Sequence, residues 1–570
     1  MPTIDVDYGE FERLLGMSFG KDMEKINDVL AFVKGEVKLF NEKEGVMNVE
    51  IKDTNRPDTW NIEGLVRALK GFLGIEQGLK EYTVGKQLGE VSVDERLDNI
   101  RPFIGCAIVK NLTLSDSIIR GFMNMQDKLD QTYGRNRQKT SIGLYNLDLI
   151  KLPLYYGVAK PTEVSFAPLG FAKKMTLKQM LKEHPKGLEY GHIVSKHPVY
   201  PILLDSERTP LSFPPIINSN DLGRITEDAR NVLVEVTGTK HETVLNVLKI
   251  VTLSLIDRAG KAYATRVHYP HRKMDVTTPD FGTSERSLDV EYTNGLLGLR
   301  LTGNQIGELL CKAGYGVEET SKDCVRVRVP CYRVDVMHAV DMVEDVAIAY
   351  DYNNIEPFWR KMPVTGWQKP ENKLIDKARE LMVGLGFQEV STYTLTNPEN
   401  LFTRMNLKKQ KIVEIANPKV TTLTCLRNWL LPGLLEFISN NLHVECPQRI
   451  FELGKITLPD EKKETRTRDE YRLAAVIYHA NASFTEAKQT LDALLTNLRL
   501  EWQTEETNHS SLIEGRAGTV TINETAIGTL GEINPSVLES WRLENPVATF
   551  ELNMQEMINI EHLRKVVNQT

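Results

Sequence analysis

VPCYRVDVMHAVDMVEDVAIAYDYNNI (329–355) runs from the end of a strand into a helix and sets four carboxylates around the junction. The apolar spacing predicts a helix from about 336 to 350. At about 100° per residue, Asp341, Glu344 and Asp345 fall within about 100° of arc. Val340, Val343 and Ala347 lie on a different face, with Tyr350 near its edge. Asp335 stands at or just before the helix start, where it can cap or turn inward. Oxygen ligands at this density suit a hard divalent cation such as magnesium. The plainer alternative is a solvated helix face, with Asp335 as a simple cap. Like charges three and four apart mildly destabilise a helix, which favours a compensating partner, either a cation or basic side chains.

Working outward, LTGNQIGELLCKAGY (301–315) predicts a second helix. Thr302 is its N-cap and Gln305 the capping-box partner. Ile306, Leu309 and Leu310 make the apolar stripe, and Gly314 stops the helix. CVRVRVP (324–330) alternates with period two and predicts a strand. Together these form a unit over 275–357. Beyond it, 358–570 alternates helices (373–390, 426–442, 485–500) with strands (391–397, 448–457, 471–479, 517–533, 547–554), which implies an antiparallel sheet flanked by helices. Before it, 91–270 carries short β-like runs such as IGCAIVK (104–110), GHIVS (191–195), NVLVEVTGT (231–239) and VTLSLIDRAG (251–260), with a helix over 115–134. SFPPIINSN (212–220) must be a rigid loop or extended segment, because a residue before proline is held out of the helical region. Residues 1–90 read as a small α+β module, with strands at MPTIDVDY and 48–52 and helices at 22–33 and 62–72. The fold class is therefore α+β, with four domains.

Composition bounds the function. The 570 residues carry 41% apolar and 26% charged side chains, ordinary for a globular protein. No run of 18 apolar residues occurs and the start lacks a basic segment before an apolar one, so neither a membrane span nor a signal peptide is expected. The six cysteines form no CxxC and fit reduced thiols in a cytoplasmic protein. A formal net charge of −7 gives no general support to nucleic-acid binding, and basic character is local, at 173–187, 266–273 and 404–411.

Several segments, in order, resemble the family of phenylalanyl-tRNA synthetase beta subunits. They are NRPDTWNIEGLVRAL (55–69), SFPPIINSN with VEVTGT, YTNGLLGLRLTGNQIGELLCKAGY (292–315), the acidic helix, NPKVTTLTCLRNWLLPGLLEFISNN (417–441), RIFELGK (449–455) and GTLGEINPSVLESWRLENPVATFEL (528–552). The archaeal and eukaryotic cytoplasmic branch fits better than the bacterial one. The resemblance implies an N-terminal module (1–90), a B3/4-type editing domain (91–270), a B5 domain of DNA-binding-like shape (275–357) and a class II synthetase-like domain (358–570) that lacks aminoacylation chemistry. It also implies a heterotetramer of two alpha and two beta chains. The alpha subunit would bind ATP and L-phenylalanine with magnesium and charge tRNA(Phe). No glycine-rich strand of the last domain ends in an arginine that would grip ATP; Arg427 and Arg449 are present there, and each reads equally well as structural. The family's magnesium site falls on Asp335, Asp341, Glu344 and Asp345. Position 345 is Asp where the bacterial pattern usually has Glu.

The resemblance further implies hydrolysis of tyrosine wrongly attached to the tRNA. A pocket that satisfies the tyrosine hydroxyl rejects phenylalanine, whose entry would leave a polar group unpaired. The candidates are Glu235, Ser212 and Thr237 for the chemistry, with Leu203, Asn218 and Thr239 for substrate binding. Glu235 would accept the tyrosine hydroxyl hydrogen, and Ser212 and Thr237 would orient polar groups or water. Related cytoplasmic-type chains often carry Asp at this position, so the longer Glu235 would alter pocket depth. Without the resemblance, Glu235 between Val234 and Val236 reads as the solvated side of a strand. No Ser/His/Asp or Cys/His pattern announces covalent catalysis, and His192 and His197 read as surface or loop residues. Two other functions compete: a scaffold or tRNA-binding subunit without editing, and a DNA-binding regulator built on the helical module. The acidic balance counts against the second, since backbone recognition needs many Lys or Arg contacts.

Overall fold

A computed structural model describes residues 2–359 and 361–560. The chain divides into two compact units, Met1–Trp359 and Arg360–Thr570. The first spans the residues of the three N-terminal domains expected from the sequence, and the second those of the fourth.

The N-terminal module is a three-stranded antiparallel sheet, in spatial order Thr3–Asp7, Val46–Ile51, Gly35–Asn41. Helices Tyr8–Leu15, Met23–Leu30 and Ile62–Phe72 pack on it, capped by Asp7, Asp22 and Asn61. Asn-Arg-Pro-Asp becomes a 3-10 turn at Pro57–Thr59, held by a buried two-pronged Arg56–Asp58 pair. The turn lies so close to the following helix that a Cβ on Gly64 would sit 1.6 Å from the Asp58 carbonyl oxygen.

The middle domain is a ten-stranded mixed sheet. Strand Val232–Gly238 lies between Phe103–Lys110 and Thr140–Asn146, antiparallel to both, and all seven of its residues are buried. Helices Asp116–Gln131 and His241–Ile256 cover one face, on which Val232, Val234 and Val236 pack. Leu233 faces a second core with Cys106, Tyr145, Tyr156 and Leu203. The Tyr145 hydroxyl on one terminal strand lies 3.4 Å from Asn218 Oδ1 on the other, Ile217–Asn218. The sheet thus curls until its ends nearly meet, and the second core is its interior.

Several local expectations are corrected here. VTLSLI belongs to the His241–Ile256 helix, which is buried on nearly all sides. A short, wholly apolar run does not distinguish a strand from a buried helix. GHIVS opens with a 3-10 turn, Gly191–Ile193. On the Asp116–Gln131 helix, Met123 is 52% exposed although Phe122 and Met125 beside it are buried. Strands Gly85–Val93 and Met274–Thr278 join this sheet by pairing with Lys261–Tyr269, so the domain extends past both expected boundaries.

The third domain combines a three-stranded sheet (Ser284–Asp289, Cys324–Val329, Gly316–Thr320) with helices Val290–Leu297, Gly303–Lys312 and Ala339–Tyr350. Thr302 and Gln305 form the expected capping box.

The second unit is a seven-stranded sheet, antiparallel but for the short Gln388–Glu389 strand at its edge. Its long central strands, Gln448–Pro459, Thr467–Tyr478 and Val547–Asn553, are covered on both faces. Leu473, Ala475 and Ile477 meet helices Pro370–Gly384 and Phe484–Asn497, while Ala474, Val476 and Tyr478 meet Leu431–Ser439. Pro432 sits in the first turn of that helix, where its missing N–H costs nothing. The 517–533 run is a hairpin of Leu512–Ile522 and Thr525–Ile533, turning through Asn523 and Glu524 in the left-handed region. STYTLTN, expected as a strand, pairs only over Leu395–Thr396, with Cys425–Leu426.

Candidate functional site

Strand register brings the middle domain's polar residues together. Glu235 stands opposite Cys106 on one neighbouring strand and Gly143 on the other. It is 2% exposed, so the solvated-strand reading is wrong: both faces of this sheet are covered. Gly143 makes room for it, since a Cβ there would meet Glu235 Oε2 at 2.5 Å and the Tyr145 hydroxyl at 2.3 Å. The Tyr145 O–H donates to Glu235 Oε2 at 2.8 Å, while Oε1 has no hydrogen-bond partner. Burial pushes the Glu235 carboxyl up to about 7, a rise opposed by the Tyr145 hydrogen bond and the Arg101 charge. Burial and the Glu235 charge raise the Tyr145 hydroxyl as well, so it stays a donor.

Glu235 lines a cavity of about 170 Å³ with Ser141, Ser212, Asn218, Arg137 and the Phe213–Ile217 loop. Ser212 is buried and its Oγ also lacks a partner. Asn218 pairs with Ser212 in register. Thr237 is fully buried and committed elsewhere: Arg101 donates to its Oγ1 at 2.9 Å and to its carbonyl at 2.7 Å. Arg101 also donates to Ser141 Oγ, which fixes that cavity wall. Two expected substrate contacts fall outside the cavity lining. Leu203 is sealed in the interior core, and Thr239 lies exposed beyond the strand end.

The sequence reading missed Tyr145, Gly143, Arg101 and Arg137. Arg137 donates to the carbonyls of Pro215 and Ile216 and so pins the proline-rich loop. Its Nε lies 3.1 Å from Asp130 Oδ2, and burial pushes the Asp130 carboxyl up to about 7. The Gly-x-Tyr of SIGLYN was a readable signal for a small and a large residue on one strand face, but the register that sets them opposite Glu235 was not.

The acidic helix has a different geometry from that expected. It begins at Ala339, with His338 as its cap. Asp341 reaches back to accept from the backbone N–H of His338 and Met337 at 2.7 and 2.8 Å. Asp335 is no cap: it faces Arg333, whose Nη2 donates to it at 2.8 Å, with Arg56 at 3.7 Å. Asp345 accepts from the same Arg333 nitrogen at 2.7 Å and from the Tyr315 hydroxyl at 2.6 Å. Glu344 pairs with Lys34 at 2.6 Å.

Models of two families match the chain: the phenylalanyl tRNA synthetase beta chain CLM domain over residues 355–554, and the tRNA synthetase B5 domain over 286–352. The phenylalanine–tRNA ligase beta subunit of Pyrococcus horikoshii is 44% identical, across 98% of this chain and all of that one. The chain belongs to the phenylalanyl-tRNA synthetase beta subunit family. The beta subunit of Thermofilum pendens is 38% identical across 97% of this chain and 98% of its own. A crystal structure of an N-terminal fragment of the Pyrococcus horikoshii beta subunit superposes with a TM-score of 0.59 at 42% identity, covering 62% of this chain and all of the fragment. The family membership makes this chain a ligase subunit of archaeal type.

Magnesium, expected of the family at the acidic helix, does not fit the four carboxylates as they are placed. No group of three or more His, Cys, Asp or Glu side chains among the described residues is set to hold a metal ion. The compensation that this much negative charge requires comes from Arg333, Arg56, Lys34 and backbone N–H groups. In the CLM domain, Arg427 is buried against Glu452 at 2.7 Å and the Thr392 hydroxyl at 2.9 Å, and Arg449 pairs with Glu486. Both arginines are engaged in structural pairs. No helix among the described residues is long and apolar enough to cross a membrane.

Proposed function

We propose that the chain works with an alpha subunit, in an alpha2beta2 ligase that attaches L-phenylalanine to tRNA(Phe), and that its Glu235 cavity hydrolyses misattached tyrosine. The names of the relatives support the first part: a beta subunit implies an alpha partner, and the pairing of Arg427 and Arg449 leaves ATP, its magnesium and L-phenylalanine to that partner. The second part rests on one observation, a buried carboxylate with one oxygen held by Tyr145 and the other unpaired. A tyrosyl side chain entering the cavity donates its phenol O–H to Oε1. Phenylalanine leaves that acceptor buried and empty, which costs about 1–3 kcal/mol or more for a charged group. Selection by hydroxyl is therefore strong in the direction editing needs. Ser212 and Asn218 supply polar groups for the ester and a water. Water adds to the ester carbonyl, the bond to the ribose oxygen breaks, and tyrosine leaves as a free amino acid while the tRNA regains its hydroxyl. Thr237 positions the wall through Arg101 and Ser141 and does not touch substrate.

Futile cycling tests this. With tyrosine, ATP and tRNA(Phe), the wild-type complex consumes ATP without accumulating Tyr-tRNA(Phe). The Glu235→Ala complex accumulates it and consumes less ATP per tRNA. Accumulation by the wild type would instead favour a tRNA-binding scaffold without editing.

A further inference from the structure

A cavity of about 300 Å³ lies where the N-terminal module meets the B5 domain, and it shares no lining residue with the Glu235 cavity. Its walls are the last turns of two helices, Ile62–Phe72 and Gly303–Lys312, and the 76–80 loop. The walls approach closely: a Cβ on Gly71 would lie 2.3 Å from the Lys312 carbonyl oxygen, and the Gly78 N–H donates to the Cys311 carbonyl at 2.8 Å. Phe72, Leu79 and Tyr332 give the cavity an apolar side. Its charged lining is mostly basic: Arg56, Arg67, Lys80 and Lys312 stand against Glu76. Asp58 matches Arg56, and Lys70 holds Glu76 at 2.5 Å. Arg67 and Lys80 share one carboxylate, Asp257, at 2.6 and 3.0 Å. Lys312 makes no ion pair among the described residues. The lining therefore carries more positive charge than its carboxylates neutralise.

Arg67 decides the class of ligand. Its side chain is only 7% exposed. Its Nη1 donates to Asp257, and the Tyr332 ring lies 4.3 Å from the guanidinium carbon. Its Nε and Nη2 have no hydrogen-bond partner among the described residues. Buried donors are nearly always satisfied, so two on one side chain call for an acceptor. These two N–H groups lie parallel on one edge of the guanidinium. By the same edge Arg56 grips both oxygens of Asp58, and Arg333 both oxygens of Asp335. Such a fork fits two oxygens of a carboxylate or a phosphate. The further charge of Lys80 and Lys312 selects the dianion. At the two helix ends, the carbonyls of Lys70 and Cys311 are taken by the N–H groups of Ile75 and Gly78, which blunts their repulsion of an anion.

We propose that this cavity binds the phosphate group of a small molecule, with two phosphate oxygens on Arg67 Nε and Nη2 and the organic part along Phe72 and Leu79. The volume is that of the smaller ligand sites. The burial of Arg67 keeps the backbone of a polynucleotide from reaching it. Arg67, Asp257 and Lys312 belong in turn to the N-terminal module, the middle domain and the B5 domain, so the bound phosphate ties the three together.

Equilibrium dialysis of orthophosphate against the assembled complex, at constant ionic strength, tests this. Phosphate held elsewhere in the complex is common to wild type and variants, so the difference between them reads this cavity. Arg67→Lys keeps a charge beside Asp257 but loses the fork, and it weakens the site about tenfold. Lys312→Gln removes a charge that no ion pair uses, so the fold survives, and it weakens the site about fivefold. Phosphate raises the melting temperature of the wild type more than that of either variant. Tungstate, a dianion of phosphate shape, gives an anomalous-scattering peak within hydrogen-bond reach of Arg67 Nε and Nη2 in crystals of the complex. The salt dependence of tRNA(Phe) affinity is the same in all three proteins. Unchanged phosphate binding in both variants, or no tungstate peak in the cavity, overturns the proposal. A flatter salt dependence in the variants with no loss of orthophosphate binding assigns the basic cluster to the tRNA backbone and overturns it too.

Discussion

Burial moves the Glu235 midpoint up to about 7, which brings its ionisation into the neutral pH range. Only the ionised form accepts hydrogen bonds at both oxygens. Preference for Tyr-tRNA(Phe) over Phe-tRNA(Phe) therefore rises about tenfold from pH 6 to pH 8, and a flat ratio across that range contradicts the assignment. The same shift bears on stability. A carboxyl whose folded midpoint exceeds its unfolded one is held more tightly as the acid, so its ionisation opposes folding. The cost is absent below about pH 4.5, grows towards pH 7 and is constant above it. Glu235→Gln removes the ionisation and stabilises the protein by about 1–3 kcal/mol at pH 8, with the difference closing near pH 4.5. Melting temperatures at the two pH values check this. On the proposed function, activity at Glu235 is held against stability, the pattern expected of a buried site group. Glu235 and Ser212 were legible as candidates because their segments resemble the family. Their partners Tyr145, Arg101 and Arg137 were not, because each comes from a distant segment that only sheet register and tertiary packing bring near.

Among the elements, the acidic helix shows best how pattern and partner differ. Its carboxylates were plain in the sequence, but their compensation was not, since Arg56, Lys34 and Tyr315 come from other segments. Arg333, two residues from Asp335, is one of the basic side chains that the sequence left open as the alternative to a cation. Breaking a buried pair by removing one partner costs about 3–5 kcal/mol. Arg333→Met strands Asp335 and Asp345, so it lowers the melting temperature by many degrees. Magnesium or a chelator leaves the wild-type melting temperature unchanged. A chelator-induced loss would show that the carboxylates rearrange around a metal. A second element is set by steric closeness. Gly64→Ala forces a Cβ onto the Asp58 carbonyl, prises the Ile62–Phe72 helix from the Arg56–Asp58 turn, and destabilises the N-terminal module by about 3 kcal/mol or more. Limited proteolysis between residues 52 and 62 detects that opening. Helix caps and stops were legible because they are local: Thr302, Gln305 and Gly314 act within one turn. The misread runs, VTLSLI and STYTLTN, are those whose fate packing decides.

For the whole molecule, the resemblance supplied more than periodicity could. The α+β class and the family follow from motifs strung along the chain, and the matches over 286–352 and 355–554 agree with them. Boundaries were less legible, because Gly85–Val93 and Met274–Thr278 complete a sheet whose other strands lie between them. The central claim is that this subunit carries no aminoacylation chemistry yet retains a hydrolytic one. Its most direct test is the deacylation rate of preformed Tyr-tRNA(Phe) and Phe-tRNA(Phe) by the assembled ligase without ATP. The account predicts rapid loss of tyrosine, sparing of phenylalanine, and a fall of about a hundredfold in the tyrosine rate for a folded Glu235→Ala complex. Equal rates for the two esters, or an undiminished tyrosine rate in that variant, would contradict it.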